Sequence, residues 1–503
     1  MSSASFIGAI DQGTSSSRFL IFDDQAQVVC SHQVEYSNNF PKAGWVEKDP
    51  AEIVDSVEQA IAGAVDKFVR KGHRIEQIKS VGITNQRETT IAWDSETGAP
   101  LCPAIIWSDT RTKDLVHRLC DEAPANGKDY LHKICGLPIT TYFSAVKMKW
   151  LIENVPEVME AQKKGTLRFG TVDTWLIYTF TGEYVTDVTN ASRTMLMNIR
   201  DFKWDETALD FFQISRTSLP EIRSSSEIYG HFRDGLLKDI PIAGALGDQQ
   251  AATVGQSCFE VGQAKNTYGT GCFMLFNTGE EVVFSDRGLL TTVCYQLGPN
   301  AKPAYALEGS IAVAGSAIQW LRDRIGLIQS APEIGLLTDQ VEDNGGVYFV
   351  TAFSGLFAPY WRDDARGCIV GLTQFTERGH IARACLESVC FQTKAILEAM
   401  HKDGNQNLNL LKVDGGMTNS DQCMQIQADI LGIKVVRPAM TETTALGAAF
   451  AAGLAVGIWE SVEALRKLSS SDVQVFWPKT TPHQREEQFS GWNKAVERSL
   501  NWA

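Results

Sequence analysis

One local pattern occurs twice in this chain, about half its length apart. The segment IGAIDQGTSSSRFLIFD (7–23) predicts a strand, a Gly-Thr turn and a second strand. The segment NTYGTGCFMLFNTGE (266–280) predicts the same arrangement, and Thr14 and Thr270 lie 256 residues apart. A shared Gly-Thr dipeptide is common by chance, but matching apolar flanks are not. The repeat therefore favours two related domains.

The length of the chain agrees with this interpretation. A single hydrophobic core stops growing beyond roughly 250–300 residues, and this chain has 503. Strand and helix patterns alternate throughout, which is typical of α/β architecture. We therefore predict an amino-terminal domain over 1–255 and a carboxyl-terminal domain over 256–503.

One helix and the strand after it illustrate the local signals. Asp49 is a candidate N-cap, with Pro50 at the first helical position and Glu52 at the third. Apolar residues then recur at helical spacing: Ile53, Val54, Val57, Ile61, Val65, Phe68 and Val69. The run IKSVGIT (78–84) predicts a short buried strand. It delivers the polar residues 85–88 to its carboxyl end, where α/β proteins usually bind ligands.

Charge, cysteine usage and apolar runs exclude several classes of protein. Lys plus Arg number 46 against 60 Asp plus Glu, a net charge of −14, and no basic run exists to bind nucleic acid. The eleven scattered cysteines form no C-x-x-C, which is typical of reduced thiols in a cytoplasmic protein. The start of the chain does not resemble a signal peptide. The run Ala445–Trp459 is shorter than the roughly 20 residues of a membrane span, so we expect a buried helix.

Several familiar catalytic motifs are absent from the sequence. It contains no P-loop, no G-x-G-x-x-G after a strand, no G-x-S-x-G and no protein-kinase motif set. It also has no H-E-x-x-H and no Cys/His cluster, so a zinc site is not expected.

The first polar cluster spans residues 11–18. Glycine lets the backbone approach a ligand, and successive N–H groups and hydroxyls form a concave anion site. Arg18 could add a charge-assisted bond to phosphate, and Asp11 could hold Mg²⁺ through water. The alternative is an ordinary polar hairpin turn.

Three further clusters each allow two interpretations. Residues 85–89 (NQRET) could donate to and accept from polyol hydroxyls, or form a surface ion pair. Asp248 in GDQQ (247–250) could accept a hydroxyl proton, or cap a helix. The glycines of VDGGMTNS (413–420) could carry a flat ligand, or form a strand-to-helix turn capped by Ser or Asn. Trp107, Tyr142 and Phe273 are aromatic residues close to polar clusters, although aromatic residues are more often core.

Taken together, these clusters occur in one order and spacing. The motifs are IDQGTSSSR, GWVEKDP, GITNQRETT, YFSAVKMKWL, FGTVDTWLIY, TNASRTML, GDQQAA, KNTYGTGCFM, ALEGS, SAIQWLRD, APYW, VDGGM and TALGAA. With them the chain resembles the FGGY carbohydrate kinase family, within the actin/hexokinase-like ATPase superfamily, from about Phe6 to Trp459. The resemblance implies two related actin/ribonuclease-H-like domains, each a mixed sheet flanked by helices, with a cleft between them.

The resemblance also implies roles for individual residues. Asp248 is the implied general base and Asp11 the Mg²⁺-side carboxylate. The implied substrate contacts are Arg87, Glu88, Tyr142, Asp248, Gln249, Trp107 and Phe273. The implied nucleotide contacts are Thr14, Ser15, Ser16, Arg18, Thr270, Gly315, Gln319, Gly416 and Ser420. Family members often carry Asn at the last of these positions, whereas here Asn is one place earlier, at 419.

The activity implied by the resemblance is ATP-dependent, Mg²⁺-assisted phosphorylation of glycerol to sn-glycerol 3-phosphate, in a cytoplasmic homodimer or homotetramer. The choice of glycerol depends on NQRET, Tyr142, GDQQ and the Cys272-Phe273 pair. Alternatives are a kinase for another small polyol or ketose, and an ATP-driven protein clamp. A catalytically inactive sensor is disfavoured because both Asp11 and Asp248 are present.

Overall fold

Two mixed β-sheets organise the computed structural model, which describes residues 4–124, 127–404, 408–469 and 473–503. The strands are β1 Phe6–Gln12, β2 Ser16–Asp23, β3 Val28–Glu35, β4 Glu47–Lys48, β5 Ile78–Asn85, β6 Ile91–Asp94, β7 Ala104–Ile105, β8 Leu167–Gly170, β9 Val185–Asp187, β10 Met197–Asn198, β11 Lys203–Trp204, β12 Glu221–Arg223, β13 Gly230–His231, β14 Pro241–Gly247, β15 Ala264–Tyr268, β16 Cys272–Gly279, β17 Leu290–Tyr295, β18 Ala304–Ile311, β19 Tyr348–Val350, β20 Cys368–Val370, β21 Leu410–Asp414, β22 Lys434–Pro438 and β23 Val473–Phe476.

Helices cover the sheets and connect their strands. They are α1 Pro50–Arg70, α2 Lys113–Glu122, α3 His132–Cys135, α4 Ser144–Asn154, α5 Pro156–Lys164, α6 Val172–Thr181, α7 Val188–Ala191, α8 Glu206–Phe212, α9 Asp248–Gly255, α10 Gly315–Trp320, α11 Glu333–Thr338, α12 Arg378–Gly404, α13 Asp421–Leu431, α14 Thr443–Ala455, α15 Val462–Ser469 and α16 Pro482–Ser499. A π-helical turn, Leu321–Ile325, extends α10.

The two large sheets repeat one strand arrangement. The first has the order β13-β14-β5-β1-β2-β3 and the second β17-β18-β16-β15-β21-β22-β23. In the runs β3-β2-β1-β5-β14 and β18-β16-β15-β21-β22, two antiparallel pairings are followed by two parallel ones. Each run contains one predicted Gly-Thr hairpin, β1–β2 or β15–β16. The predicted fold of two related α/β units with mixed sheets is confirmed, while the division at 255/256 stays a prediction.

The first helix forms where its capping signals predict it. The Asp49 side chain accepts a hydrogen bond from the Ala51 backbone N–H, and Pro50 is the first helical residue. Six of the seven apolar residues predicted for its inner face are buried, but Val69 is 48% exposed. Neighbouring residues of a helix point in different directions, so Val69, which directly follows the buried Phe68, points away from the sheet.

A helix pair made largely of small residues lies between the sheets. Helix α14 comes from the second half of the chain yet packs on β1, β5 and β14 of the first sheet, and also on α9. A Cβ at Gly447 would lie 1.9 Å from the Ala251 carbonyl oxygen, and one at Gly255 the same distance from that of Thr443. The helices therefore touch backbone to backbone. Of the run 445–459, predicted as a buried helix, residues 445–455 are helical, and the last four residues lie beyond the end of the helix. No helix in the described ranges has the length and apolarity to cross a membrane.

Candidate active site

The carboxyl ends of three parallel strands meet at one edge of the first sheet. The register pairs Asn85 of β5 with Gln12 of β1 on one side and with Gly247 of β14 on the other. The residues that follow these strands therefore lie together, including Arg87 and Asp248. This is the edge at which α/β sheets bind ligands.

Arg87 is buried at this edge and donates hydrogen bonds to a carboxylate from the second sheet. Its Nη1 and Nη2 atoms donate to Glu308 of β18 over 2.6 and 3.0 Å, and Nη1 also lies 3.3 Å from Gln250 Oε1. Its Nε lies 3.3 Å from Asp248 Oδ1. Arg87 and Glu88 are both buried, so the alternative of a surface ion pair is wrong.

Glu88 belongs to a buried four-charge cluster that consists of Arg87, Glu88, Arg193 and Glu308. Arg193 donates from Nε to Glu88 over 2.6 Å and from Nη2 to Glu308 over 3.1 Å. Burial raises the pKa of Glu88, although both arginines oppose the shift. At Glu308 burial also opposes ionisation, but Arg193 and Arg87 outweigh it and lower the pKa to about 2. The cluster thus contains one firmly ionised carboxylate and one that is more readily protonated.

Asp248 is the first residue of α9 and directly follows β14. Its Oδ1 accepts a 2.8 Å hydrogen bond from the Gln249 backbone N–H, and its side chain is 35% exposed. The predicted alternative of an N-cap is wrong, because Gly247 is the N-cap residue. A Cβ at Gly247 would lie 2.7 Å from Arg87 Cδ, so glycine is what permits this approach. Desolvation raises the pKa of Asp248, although Arg87 and Lys265 oppose the shift.

Lys265 connects Gln249 to the second hairpin. This buried lysine on β15 donates from Nζ to Gln249 Oε1, to Thr267 Oγ1 over 2.9 Å and to the Phe273 carbonyl oxygen over 3.4 Å. Burial lowers the pKa of its ammonium group, and the charge of Asp248 partly opposes this. Lys265 therefore contacts the residue that directly follows the candidate base.

The three predicted aromatic residues form one half-buried group. The ring of Trp107 meets those of Tyr142 and Phe273 edge-on, with centroids 5.7 and 6.2 Å away. Trp107 Nε1 also donates to Thr14 Oγ1 over 2.9 Å. The structure thus brings Trp107 against the first Gly-Thr turn, with Tyr142 and Phe273 packed on its ring.

The first turn is tight and polar. The Gly13 N–H donates to the Ser16 carbonyl oxygen over 2.9 Å, and Ser15 is exposed at the tip. Arg18, on β2, contacts Asp11 through Nη2 and Glu442 through Nη1. Burial raises the pKa of Asp11, although Arg18 opposes the shift.

The second turn is joined to the start of α10. The Gly315 N–H donates to the Gly269 carbonyl oxygen over 3.0 Å, and the Ala314 N–H to that of Thr270 over 2.9 Å. Gln319, on the same short helix, is exposed. Of the predicted nucleotide contacts, Thr270 and Gly315 are therefore adjacent in space.

The two glycines after β21 differ in their surroundings. Gly415 has φ +91°, and a Cβ there would lie 2.5 Å from the Tyr268 carbonyl oxygen. Gly416 is exposed, and no atom lies within 4 Å of the position of its Cβ. Ser420 Oγ accepts a hydrogen bond from the Cys423 N–H over 3.2 Å and caps α13, which confirms the capping interpretation for that residue. Asn419 is exposed.

A pre-formed metal cage is not found in the described parts of the chain, where no group of three or more His, Cys, Asp or Glu side chains is arranged to hold a metal ion. Mg²⁺ commonly uses only one or two carboxylates, with water and substrate phosphates completing its coordination. Asp11 fits such a site as a single carboxylate at the end of β1. Its Oδ2 is the oxygen that contacts Arg18.

Sequence reasoning assigned no role to three charged residues of this site: Arg193, Lys265 and Glu308. Each lies within one of the motifs that carry the family resemblance, TNASRTML, KNTYGTGCFM or ALEGS. The resemblance therefore marked these positions, but their residue types alone indicated no chemical role. Glu308 contacts Arg87 across 221 residues of chain, Arg193 contacts Glu88 across 105, and Lys265 contacts Gln249 across 16. Such pairings leave no local pattern.

The chain has the two-domain fold of the actin/hexokinase-like class: its two mixed sheets repeat one strand arrangement, each contains a glycine-threonine hairpin, and a polar cluster lies between them. Comparison with family models narrows this class. The model of the FGGY family of carbohydrate kinases, N-terminal domain, matches residues 6–255, and that of the C-terminal domain matches 264–456. The chain belongs to the FGGY family of carbohydrate kinases.

Individual relatives cover the whole chain. The glycerol kinase of Pseudarthrobacter chlorophenolicus is 54% identical over 504 residues, which span 99% of this chain and 98% of the relative. The probable glycerol kinase of Dictyostelium discoideum is 49% identical, with 99% and 98% covered. The crystal structure of Plasmodium falciparum glycerol kinase with ADP superposes with a TM-score of 0.92 at 42% identity, covering 99% of this chain and 98% of that one.

Proposed function

We propose that this protein catalyses the ATP-dependent phosphorylation of glycerol to sn-glycerol 3-phosphate. The observation that carries the proposal is the approach of Arg87 Nε to Asp248 Oδ1, 3.3 Å apart, in a charged cluster whose Arg193 guanidinium lies 5.8 Å from the ring of Tyr142 in the aromatic group. Polar groups on one side and aromatic rings on the other suit a small molecule with hydroxyls on a short carbon skeleton. Full-length relatives named glycerol kinase support the same substrate.

The polar groups divide into orienting groups and a base. Arg87 donates to substrate hydroxyls, Glu88 accepts from them, and Tyr142 and Gln249 add further polar contacts. Asp248 takes the proton of the terminal hydroxyl as its oxygen bonds to the γ-phosphorus of ATP. The bond from that phosphorus to the bridging oxygen breaks in line, and ADP leaves.

The nucleotide lies between the two hairpins in this proposal. Its phosphates contact the first turn through Thr14, Ser15, Ser16 and Arg18, and the second through Thr270. The adenine of the nucleotide lies near Gly315, Gln319 and the open surface of Gly416. Ser420 or Asn419 lies at the edge of the adenine. The part over 1–255 then supplies the acceptor site, and the part over 256–503 supplies most nucleotide contacts.

Asp11 is the carboxylate that would hold Mg²⁺ through water. When bound, Mg²⁺ neutralises charge that accumulates on the phosphate oxygens. Arg18 contacts both Asp11 and Glu442, so it would supply a second positive charge beside the same phosphates.

The test is a coupled ADP-release assay with a panel of acceptors: glycerol, dihydroxyacetone, erythritol, xylulose and gluconate. We expect glycerol to have the highest kcat/KM. A preference for another member would replace glycerol with that polyol or ketose. ATPase activity that is independent of glycerol and stimulated by peptide would instead favour a protein clamp, although the intact acceptor cluster argues against one.

Assembly and location complete the proposal. We propose a cytoplasmic homodimer or homotetramer. Light scattering of the purified protein measures the oligomeric state, and a mass of about 55 kDa, that of one chain, would contradict a dimer or tetramer.

A further inference from the structure

Glu308 lies on the opposite half of the molecule from the acceptor residues that it contacts. It belongs to β18 of the second sheet and is fully buried. Its two oxygens accept from Arg87 Nη1 and Nη2 over 2.6 and 3.0 Å, and Oε1 also accepts from Arg193 Nη2 over 3.1 Å. One carboxylate therefore holds two guanidinium groups from the first half of the chain.

The donors of Arg87 are almost fully assigned by this contact. A guanidinium has five N–H groups in a rigid plane. Glu308 takes one from each Nη atom, and Gln250 Oε1 lies 3.3 Å from Nη1. Two N–H groups of Arg87 remain unassigned. One is the second N–H of Nη2, and the other is that of Nε, which lies 3.3 Å from Asp248 Oδ1. Because the fork is rigid, fixing two nitrogens fixes the direction of the third.

The charges of Glu308 also balance the cluster. Arg193 contacts Glu88 and Glu308, and its Nη1 has no hydrogen-bond partner among the described residues. Without Glu308, two buried guanidiniums would face only Glu88 and Asp248. These are the two carboxylates that the proposed reaction needs for the acceptor hydroxyls.

We propose that Glu308 is a positioning residue for the phosphoryl acceptor. It holds Arg87 so that the Nε–H of Arg87 points at the acceptor hydroxyl beside Asp248. It also binds Arg193 and so maintains the hydrogen bond from Arg193 to Glu88. The acceptor site is then complete only when β18 lies against the end of β5. This inference rests on the proposed function.

The decisive variant is Glu308→Gln. Glutamine keeps the length of the side chain, but it presents an amide N–H₂ to one Nη atom of Arg87 and removes the charge. We expect the KM for glycerol to rise about 10- to 100-fold, while the KM for ATP at saturating glycerol stays within about twofold. Glu308→Asp keeps the charge but shortens the reach, and we expect the same selective effect to a smaller extent.

A matched control is available in the same half of the chain. Glu387 on α12 is also buried and pairs with Arg383 over 2.9 Å and with Asn344 over 2.8 Å. Glu387→Gln removes an equivalent buried charge without touching the acceptor site. We expect it to lower the thermal midpoint and leave both KM values unchanged.

Two results would overturn the inference. One is a folded Glu308→Gln or Glu308→Asp enzyme whose glycerol KM stays within about twofold of wild type. The other is an equal rise in both KM values, matched by Glu387→Gln, which would indicate a purely structural role. Failure of the proposed function is a separate outcome, since the wild-type enzyme itself would then not phosphorylate glycerol.

Discussion

Trp107 donates a hydrogen bond from its indole Nε1 to the hydroxyl of Thr14 over 2.9 Å. The indole belongs to the aromatic group of the proposed acceptor site, and the hydroxyl lies in the first Gly-Thr turn, where we place the phosphates. The two substrates therefore share one structural element. A change on either side of this bond should alter the kinetics of both.

Trp107→Phe keeps an aromatic ring and removes the N–H. We expect the KM for ATP to rise about 2- to 10-fold, because a neutral hydrogen bond contributes about 0.5–1.5 kcal/mol. Initial rates with each substrate varied in turn measure this effect. Thr14→Val, alone and combined with Trp107→Phe, completes a double-mutant cycle. Strictly additive effects would indicate that the bond does not couple the sites.

Asp248→Asn tests the assignment of the base. The amide is nearly isosteric but cannot take the hydroxyl proton, so we expect kcat to fall about 10²- to 10⁴-fold. ADP affinity, measured by calorimetry, should stay close to wild type because Asp248 does not lie at either hairpin turn. Gln249→Ala serves as a neighbouring control with a smaller loss. Turnover near the wild-type value in Asp248→Asn would refute the assignment.

The pH dependence of kcat/KM for glycerol follows from the environment of Asp248. Burial raises the pKa of this carboxyl above its ordinary 3.8, against the opposing charges of Arg87 and Lys265. A base acts only when deprotonated, so activity should fall as the pH drops through that raised pKa. Lys265→Met removes one opposing cation and should move the acid limb to still higher pH. A limb at or below pH 3.8 contradicts this expectation.

The adjacent glycines 415 and 416 form a matched pair. Gly415→Ala puts a methyl group 2.5 Å from the Tyr268 carbonyl oxygen at φ +91°, so we expect a loss of more than about 1 kcal/mol of stability. Gly416→Ala meets no atom within 4 Å and should leave the melting temperature unchanged. If the nucleotide lies on Gly416, this second variant raises the KM for ATP. An unchanged value would place the nucleotide elsewhere.

The neighbouring pair Asn419 and Ser420 separates capping from binding. Ser420→Ala removes the cap of α13 and should cost about 0.5–2 kcal/mol of stability. Asn419 is exposed, so Asn419→Ala should leave stability unchanged. If the Asn419 amide reaches the adenine, the same variant should raise the KM for ATP. Thermal melts and ATP titrations of the two variants make the comparison. A selective loss of ATP affinity in Ser420→Ala would assign the contact to Ser420 instead.

The elements that sequence predicted well are those with local signals. The hairpins around Thr14 and Thr270 and the cap at Asp49 follow from residues within a few positions of one another. The burial of Arg87 was harder to predict, because adjacent opposite charges usually lie at the surface. Its partner Glu308 is 221 residues away, and only the approach of the two sheets brings the pair together.

The contact between α9 and α14 has a mechanical consequence. Helices usually interlock through ridges and grooves of side chains, which resist sliding and fix a crossing angle. At Gly255 and Gly447 the facing surfaces are peptide groups, so no side-chain ridge interlocks the two helices at these two points. The relative orientation of the two halves therefore depends on contacts elsewhere, and the buried ion pair of Arg87 and Glu308 is one such contact.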